Sequence, residues 1–229
     1  MKKIIILGSS GGCLDLIDLI EDINAKKKTF IILGLLDDNI KNNNLTYPYK
    51  ILGSFNKIKK YLKNKDIYFA TAIGNEKNFF KKKKIIKSLN ISLGKFPNLI
   101  HPTAIIKTIK PFGKGNIFHS GVKIGRNVKI NNMNLFLQNS IIQHDTNIGS
   151  YNFFNTATIV AGNVKIKNSN YFGQKVNIRD KVTINSYNLI GMGSIIIKNI
   201  NFCYKIITNK IISKTLNLKP LRKNDYIKK

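Results

Sequence analysis

The stretch Asn116-Ile117-Phe118-His119-Ser120-Gly121-Val122-Lys123-Ile124-Gly125-Arg126-Asn127-Val128-Lys129-Ile130 decides the fold. Phe118, Ile124 and Ile130 stand six residues apart. Continuing that count in both directions gives Ile100, Ile106, Phe112, Phe118, Ile124, Ile130, Phe136, Ile142, Ile148, Phe154, Val160, Ile166, Phe172, Ile178, Ile184, Ile190 and Ile196. All seventeen are Ile, Val or Phe, in a chain that is 43% hydrophobic. Chance yields such a series about once in 10⁵ after six registers are allowed for. Neither the helical period nor the two-residue strand period produces it alone.

A six-residue period describes a hexapeptide parallel β-helix. Each hexapeptide is one short strand and a corner, and three of them close a triangular coil of 18 residues. The sixth residue points inward and stacks on its equivalent one coil away. The residue two before it is small or β-branched at Val122, Val128, Ser140, Thr146, Thr158, Val164, Val176, Val182 and Ser194. The residue after it is Gly or Asn at Gly113, Gly125, Asn131, Gly149, Asn155, Gly173, Asn185 and Gly191, which is expected to supply corners that need positive φ. About five coils result. Their polar outer faces call for a purpose or a partner.

Upstream the rhythm changes. Lys3 to Leu7 reads as a buried strand, Gly8 to Gly12 as a loop, and Leu14 to Ile23 has helical spacing. Phe30 to Leu36 is a second strand stopped by Asp37 and Asp38, followed by a polar loop with Asn42-Asn43-Asn44. A short strand at Ile51-Leu52, a helix at Ile58 to Leu62, a strand at Ile67 to Ile73 and a helix at Phe79 to Leu89 complete the series. Strands alternating with helices imply a parallel sheet with crossover helices, a small α/β Rossmann-like domain. The expected organisation is residues 1–95 for this domain, 96–200 for the β-helix, and a basic C-terminal extension at 201–229.

The chain has 229 residues, and its formal charge is +28. Of its 39 basic residues only Arg126, Arg179 and Arg222 are Arg. Readers of nucleic acid usually use the bidentate guanidinium, so the charge reads as a solvated Lys surface that also attracts anionic substrates, and no nucleic-acid partner is expected. No apolar run reaches the ~18 residues of a membrane span, and the apolar run at Ile4 to Leu7 is too short for a signal peptide. Cys13 and Cys203 have no metal spacing, so neither a disulfide framework nor a zinc site is expected, and the default compartment is the cytoplasm.

Three histidines stand out. His101 precedes Pro102 where the first coil begins and reads as junction structure. His119 follows inward Phe118 and reads as a surface or interface polar residue. His144 follows inward Ile142 by two, so its side chain leaves the core. Imidazole suits general-base work at neutral pH; on spacing alone, surface residue and catalyst are equal readings. Eighteen residues on, Gly162 occupies the same place in the next coil. A glycine there offers an unobstructed backbone N–H about 5 Å along the prism axis, and a base beside such a donor suits acyl transfer. In the first domain, Gly8, Ser9, Ser10 and Gly11 present N–H groups at a helix start, as phosphate binding requires. The turn is not the G-x-G-x-x-G fingerprint, and Asp37 at a strand end suits an NAD ribose as well.

The whole of residues 1–200 resembles the bacterial nucleotide-amino-sugar N-acetyltransferases, including those that acetylate UDP-4-amino sugars on the way to bacillosamine, relatives of the sialic acid O-acetyltransferases. The motifs are His144-Asp145-Thr146-Asn147-Ile148-Gly149, Ala161-Gly162-Asn163-Val164-Lys165-Ile166 and Asn98-Leu99-Ile100-His101-Pro102. The resemblance implies a Rossmann-like domain followed by a left-handed β-helix that trimerises, acetyl-CoA as acyl donor, and a nucleotide-linked (UDP or dTDP) amino-deoxy sugar as acceptor, for surface polysaccharide biosynthesis. It implies His144 as base with Asp145 or another polar neighbour orienting it, provided a corner intervenes, and Gly162 as donor to the thioester carbonyl. It implies a nucleotide-sugar site at Gly8, Ser9, Ser10, Gly11, Asp37, Asp38, Gly74 and Asn75. Sugar O-acetylation and a non-catalytic sugar-nucleotide scaffold fit the same fold. Four places depart from the family pattern. Gly12 and Phe153 stand where relatives often carry His, Leu137 where they carry Asn, and residues 206–210 lack the Gly-x-Pro-Ala-Lys ending.

Overall fold

The computed structural model describes residues 1–39, 48–201 and the strand at 205–206. The loop around Asn42, Cys203, positions 207–210 and the rest of the C-terminal extension lie outside the described residues.

The first domain follows the expected alternation: β1 (Lys2–Leu7), α1 (Gly12–Lys26), β2 (Phe30–Leu36), β3 (Ile51–Gly53), α2 (Ile58–Leu62), β4 (Ile67–Thr71) and α3 (Lys82–Ser88). The strands are all parallel in the order β3-β2-β1-β4. Central β1 is covered on both faces, which is why Ile4, Ile5, Ile6 and Leu7 form an unbroken apolar run with 0% exposure. On one side α1 packs Leu16, Ile17 and Ile20 against Ile4 and Ile6. β4 ends at Thr71, two residues earlier than the sequence suggested. Gly74, at φ 116°, is in the left-handed region that glycine adopts most easily.

The remaining strands are two-residue segments that stack into three parallel ladders. One face holds Leu99–Ile100, Ile117–Phe118, Leu135–Phe136, Phe153–Phe154, Tyr171–Phe172, Leu189–Ile190 and Lys205–Ile206. The second holds Ile105–Ile106, Lys123–Ile124, Ile141–Ile142, Ile159–Val160, Asn177–Ile178 and Ile195–Ile196. The third holds Lys129–Ile130, Asn147–Ile148, Lys165–Ile166 and Thr183–Ile184. Partners are 18 residues apart, as in Leu135 with Phe153, except that the last strand follows Leu189–Ile190 by 16. This is the expected left-handed parallel β-helix. Phe118, Phe136, Phe154 and Phe172 stack down its axis with centroids 4.9, 4.8 and 4.9 Å apart, which is the strand spacing. The inward series is buried from Phe118 on, whereas Ile100 is 39% exposed because the first coil is the open end of the prism.

The corners correct one expectation. Positive φ falls three residues after each inward position, at Gly115, Gly121, Asn127, Met133, Asn139, Asp145 and onward every six residues to Gly193. Most of these are not glycine, and each such residue carries a left-handed strain of about 1 kcal/mol. The stacked coil holds them there: the N–H groups of Asp145, Asn163 and Lys181 donate to the carbonyls of Arg126, His144 and Gly162 one coil back. The glycines directly after the inward residue serve close approach instead. A Cβ at Gly125 would lie 2.8 Å from the His144 nitrogen, and one at Gly149 2.7 Å from the Lys167 oxygen.

On the first face the position two before the inward residue is asparagine, and it forms a buried ladder. Asn116, Asn134, Asn152, Asn170 and Asn188 are each 0% exposed. From Asn116 to Asn170 each Oδ1 accepts both the backbone N–H and the side-chain amide of the asparagine one coil on, at 2.9 and 3.1 Å for Asn170 on Asn152. The amide's other hydrogen reaches a corner carbonyl, as from Asn152 to Lys167 at 2.9 Å. The outer residues of this face are apolar, and the first domain sits on them. Leu99 and Ile117 join the α1 cluster, while Phe153 and Leu189 pack on Phe79. His101 strengthens the junction, its Nε2 lying 3.0 Å from Asp22 Oδ2 of α1. The second face carries exposed Ile105, Ile159 and Ile195, and the third carries Lys129, Asn147, Lys165 and Thr183.

Asn152→Leu removes one end of each of two ladder steps and leaves buried donors on Asn170 and the Lys167 carbonyl unpaired. It is expected to lower stability by about 3 kcal/mol or more, measured by the denaturant midpoint, whereas exposed Asn147→Leu should change it by no more than about 0.5 kcal/mol.

Candidate active site

His144 stands at the corner between the second and third faces. Strand alternation alone would turn Asp145 away from it, but Asp145 is the corner residue itself, at φ 57°. Its Oδ2 therefore lies 2.8 Å from His144 Nδ1. An ionised carboxylate accepts only, so Nδ1 carries the hydrogen and Nε2 keeps its lone pair. Asn127, one coil back, donates from Nδ2 to Asp145 Oδ1 at 3.1 Å. The bond from His144, then that from Asn127, holds the Asp145 carboxyl below the usual carboxylate range. The His144 and Asp145 side chains are 58% and 44% exposed, open to a reactant.

The His144 ring lies over Gly162. A Cβ on Gly162 would come within 2.8 Å of both Cε1 and Nε2 of the imidazole. The backbone of Gly162 is outside the left-handed region, so glycine is needed here for space, not for conformation. Its N–H donates to no described residue. One site thus holds an oriented imidazole and a backbone N–H with no described acceptor.

In the first domain the predicted residues divide. Asp37 Oδ2 accepts both the N–H and the hydroxyl of Ser9, each at 2.6 Å, and Oδ1 accepts the N–H of Asn39 at 2.8 Å. Asp38 Oδ1 accepts the N–H of Phe55 at 2.8 Å. Both carboxylates thus fasten their own loops. Gly8, at φ 98°, closes on Ile73, and the Ser10 carbonyl receives the N–H of Cys13. The N–H groups of Ser10, Gly11 and Gly12 donate to no described residue, and a Cβ on Gly11 or Gly12 would meet nothing within 4 Å.

Gly74 and Asn75 line a cavity of about 200 Å³ between the first domain and the first face of the β-helix. Gly12, Lys82, His119, Leu137, Phe153, Asn155 and Tyr171 line it too. The Phe153 ring fills the space a Gly74 side chain would need. His119 is an interface residue, 5% exposed; burial, aided by the nearby His101, pushes its pKa down to about 4. Lys82 is 1% exposed, and burial lowers its pKa to about 7. Neither Lys82 nor the gathering of Gly12, Leu137 and Phe153 at one place was visible in the sequence. The signal was there in the outward residues of the first face, which are aliphatic or aromatic from Leu99 to Leu189. His144, Asp145 and Gly162 are not in this cavity: His119, Leu137 and Asn155 stand at the corner between the first and second faces, one prism corner away.

An α/β domain followed by a parallel β-helix is also the fold of several solved structures. The acetyltransferase domain of PglB from Neisseria gonorrhoeae, also solved with acetyl coenzyme A, is 18% identical, with 87% of this chain and 93% of that chain covered and a TM-score of 0.72. PerB from Caulobacter crescentus, solved with CoA and GDP-perosamine, is 19% identical over 87% and 90% of the two chains, with a TM-score of 0.71. WeeI from Acinetobacter baumannii is 20% identical over 87% and 93%, also at 0.71. Over residues 3–89 the chain also matches the family model of the PglD N-terminal domain. No curated protein sequence matches the chain. No described helix is long and apolar enough to cross a membrane, and no group of three or more His, Cys, Asp or Glu among the described residues is placed to hold a metal.

Gly162→Ala is expected to push the His144 ring out of its place while leaving the coil intact. The imidazole resonances of His144 should move in NMR spectra with a change in melting temperature of only a few degrees; unchanged resonances would contradict the packing.

Proposed function

We propose that the chain is an acetyl-CoA-dependent N-acetyltransferase acting on a nucleotide-linked amino sugar. The observation that carries this reading is His144 held by Asp145 over the free N–H of Gly162. His144 Nε2 takes the proton of the attacking amine. Asp145 stabilises the imidazolium that forms and keeps Nδ1 protonated. The Gly162 N–H donates to the thioester oxygen as negative charge develops on it, the moment at which a preorganised donor contributes most. The chain's chemistry fits the acyl donor: Lys129, Lys165 and Lys167 line a shallow depression that crosses the third face toward its corner with the first, suited to the phosphates of a coenzyme.

The acceptor is assigned to the cavity between the first domain and the β-helix. Gly12 lines it, and its amide, free like those of Ser10 and Gly11 before it, suits a phosphate. Asp37 and Asp38 act at one remove, by shaping the loops. The two half-sites of one chain are separated by the second face, and that face is the one with exposed isoleucines: Ile105 at 47%, Ile159 at 36% and Ile195 at 66%. Cyclic assembly of three copies with these faces around the axis covers them. It also places the corner between the first and second faces of one copy beside the corner between the second and third faces of the next. The His144 of one copy then meets the cavity of its neighbour. The active species is a homotrimer with three shared sites.

A screen of UDP- and dTDP-linked amino sugars with acetyl-CoA, followed by free thiol release, tests this function. One or more should be acetylated at nitrogen, and His144→Ala should lower kcat by roughly 10²–10⁴-fold. Thiol release with no amino sugar, or near wild-type turnover by a folded His144→Ala, would refute the reading. Light scattering at micromolar concentration should give a trimer, and a strict monomer would exclude the shared site.

A further inference from the structure

Four consecutive lysines, Lys81 to Lys84, open the segment that carries α3, and only Lys82 is buried. Its ammonium nitrogen lies 4.5 Å from the centroid of the Phe153 ring. It has no salt bridge and no hydrogen bond to any described residue. A lysine buried without a partner loses its hydration and gains little in return. Lys82 lines the cavity between the two domains, where Gly12 brings in the start of the fifteen-residue helix α1. The ring of Phe153 offers its face to the ammonium but supplies no counter-charge. Thr71, Asn75 and Asn155 add neutral hydrogen-bonding groups to the walls. Of the titratable neighbours, Asp15 on α1, His119 and Tyr171 line the same cavity, and Glu76 lies close enough to influence Tyr171.

We propose that Lys82 is a substrate-contacting residue, and that the cavity it lines takes an oxyanion of the acceptor, pairing it with the Lys82 ammonium on one wall and the opening amides of α1 on the other. This rests on the assignment of the cavity to the acceptor. The oxyanion has two chemical sources, a phosphate of the nucleotide or a carboxylate on the sugar. Either pairs the buried ammonium, so binding should draw a proton onto Lys82 near pH 7. His119, held neutral, and Tyr171, whose pKa burial raises further, do not compete for that role. Burial also raises the Asp15 pKa, and its carboxyl is the one acidic group facing the site from α1.

The test uses the full chain and reads binding, not acetyl transfer. UDP, uridine and glucuronate are titrated calorimetrically into wild type, Lys82→Met and Lys82→Gln at pH 7, in two buffers of different ionisation enthalpy. Wild type should bind UDP or glucuronate with proton uptake, and both variants should lose at least about tenfold in affinity for that ligand along with the uptake. Loss with UDP assigns the phosphate; loss with glucuronate assigns the carboxylate. Uridine should bind all three proteins alike. Both variants should melt no lower than wild type, because they relieve an unpaired buried charge. Unchanged affinity in the variants, no anion binding by wild type, or failure of both variants to fold would overturn the proposal. If the anion depends on Lys82 but no amino sugar is acetylated, the catalytic reading fails and this one stands; acetylation with anion binding indifferent to Lys82 is the reverse.

Discussion

As far as Ile196 the strands of the β-helix stand on those 18 positions before them, and the rest of the structure depends on that register. Because coils repeat at the strand spacing, like stacks on like: Phe118 to Phe172 in one column, Asn116 to Asn188 in another. A buried asparagine is normally a liability. In a column it is satisfied, since from Asn116 to Asn170 each Oδ1 finds two donors one coil on. The ladder also resists slippage, because a register error would leave buried amides unpaired along the whole prism.

The same register builds the site. Asp145 is turned toward His144 by the left-handed corner that every coil repeats, and Asn127 reaches Asp145 because it is the same corner one coil earlier. Gly162 lies under the imidazole because it is the same position one coil later. The three prism faces then take separate roles through their outward residues: apolar and covered by the first domain, isoleucine-bearing and exposed, or lysine-bearing and polar. Lys82 lies outside this scheme, on a helix of the first domain. Its burial disfavours the ammonium, so the folded state binds fewer protons than the unfolded chain between about pH 7 and the ordinary lysine range. The linked stability therefore rises with pH through that window and is lowest below it.

Much of this was legible in the sequence, because the six-residue period and the strand–helix alternation are local patterns that burial imposes directly. The β2 strand at Phe30–Leu36 and the His144–Gly162 pair were found that way. What was not legible depends on chain segments far apart meeting. The glycines after the inward residues looked like corner residues, but their role is close approach of the next coil. His119 looked like one more polar corner until the first domain covered it. The cavity joins Gly12, Gly74, Lys82, Leu137 and Phe153 from α1, the β4 loop, α3 and two coils, and no spacing rule links them. Lys82 in particular is hidden among neighbouring lysines, since nothing in a run of four identical residues says which one turns inward.

If, as proposed, His144 of one copy acts on a substrate held by the next, two variants that are each inactive should complement one another in mixed trimers. His144→Ala removes the base. Gly12→Trp, at a cavity-lining position where a Cβ meets no described atom within 4 Å, should fill the cavity mouth, and an unchanged melting temperature checks that the fold is kept. Each variant alone should be inactive in acetyl transfer. Co-expressed in equal amounts, they should regain about a quarter of wild-type activity, because in random cyclic trimers one shared site in four joins an intact base to an intact cavity. A mixed preparation as inactive as its parents, with exchange of subunits demonstrated, would contradict the account.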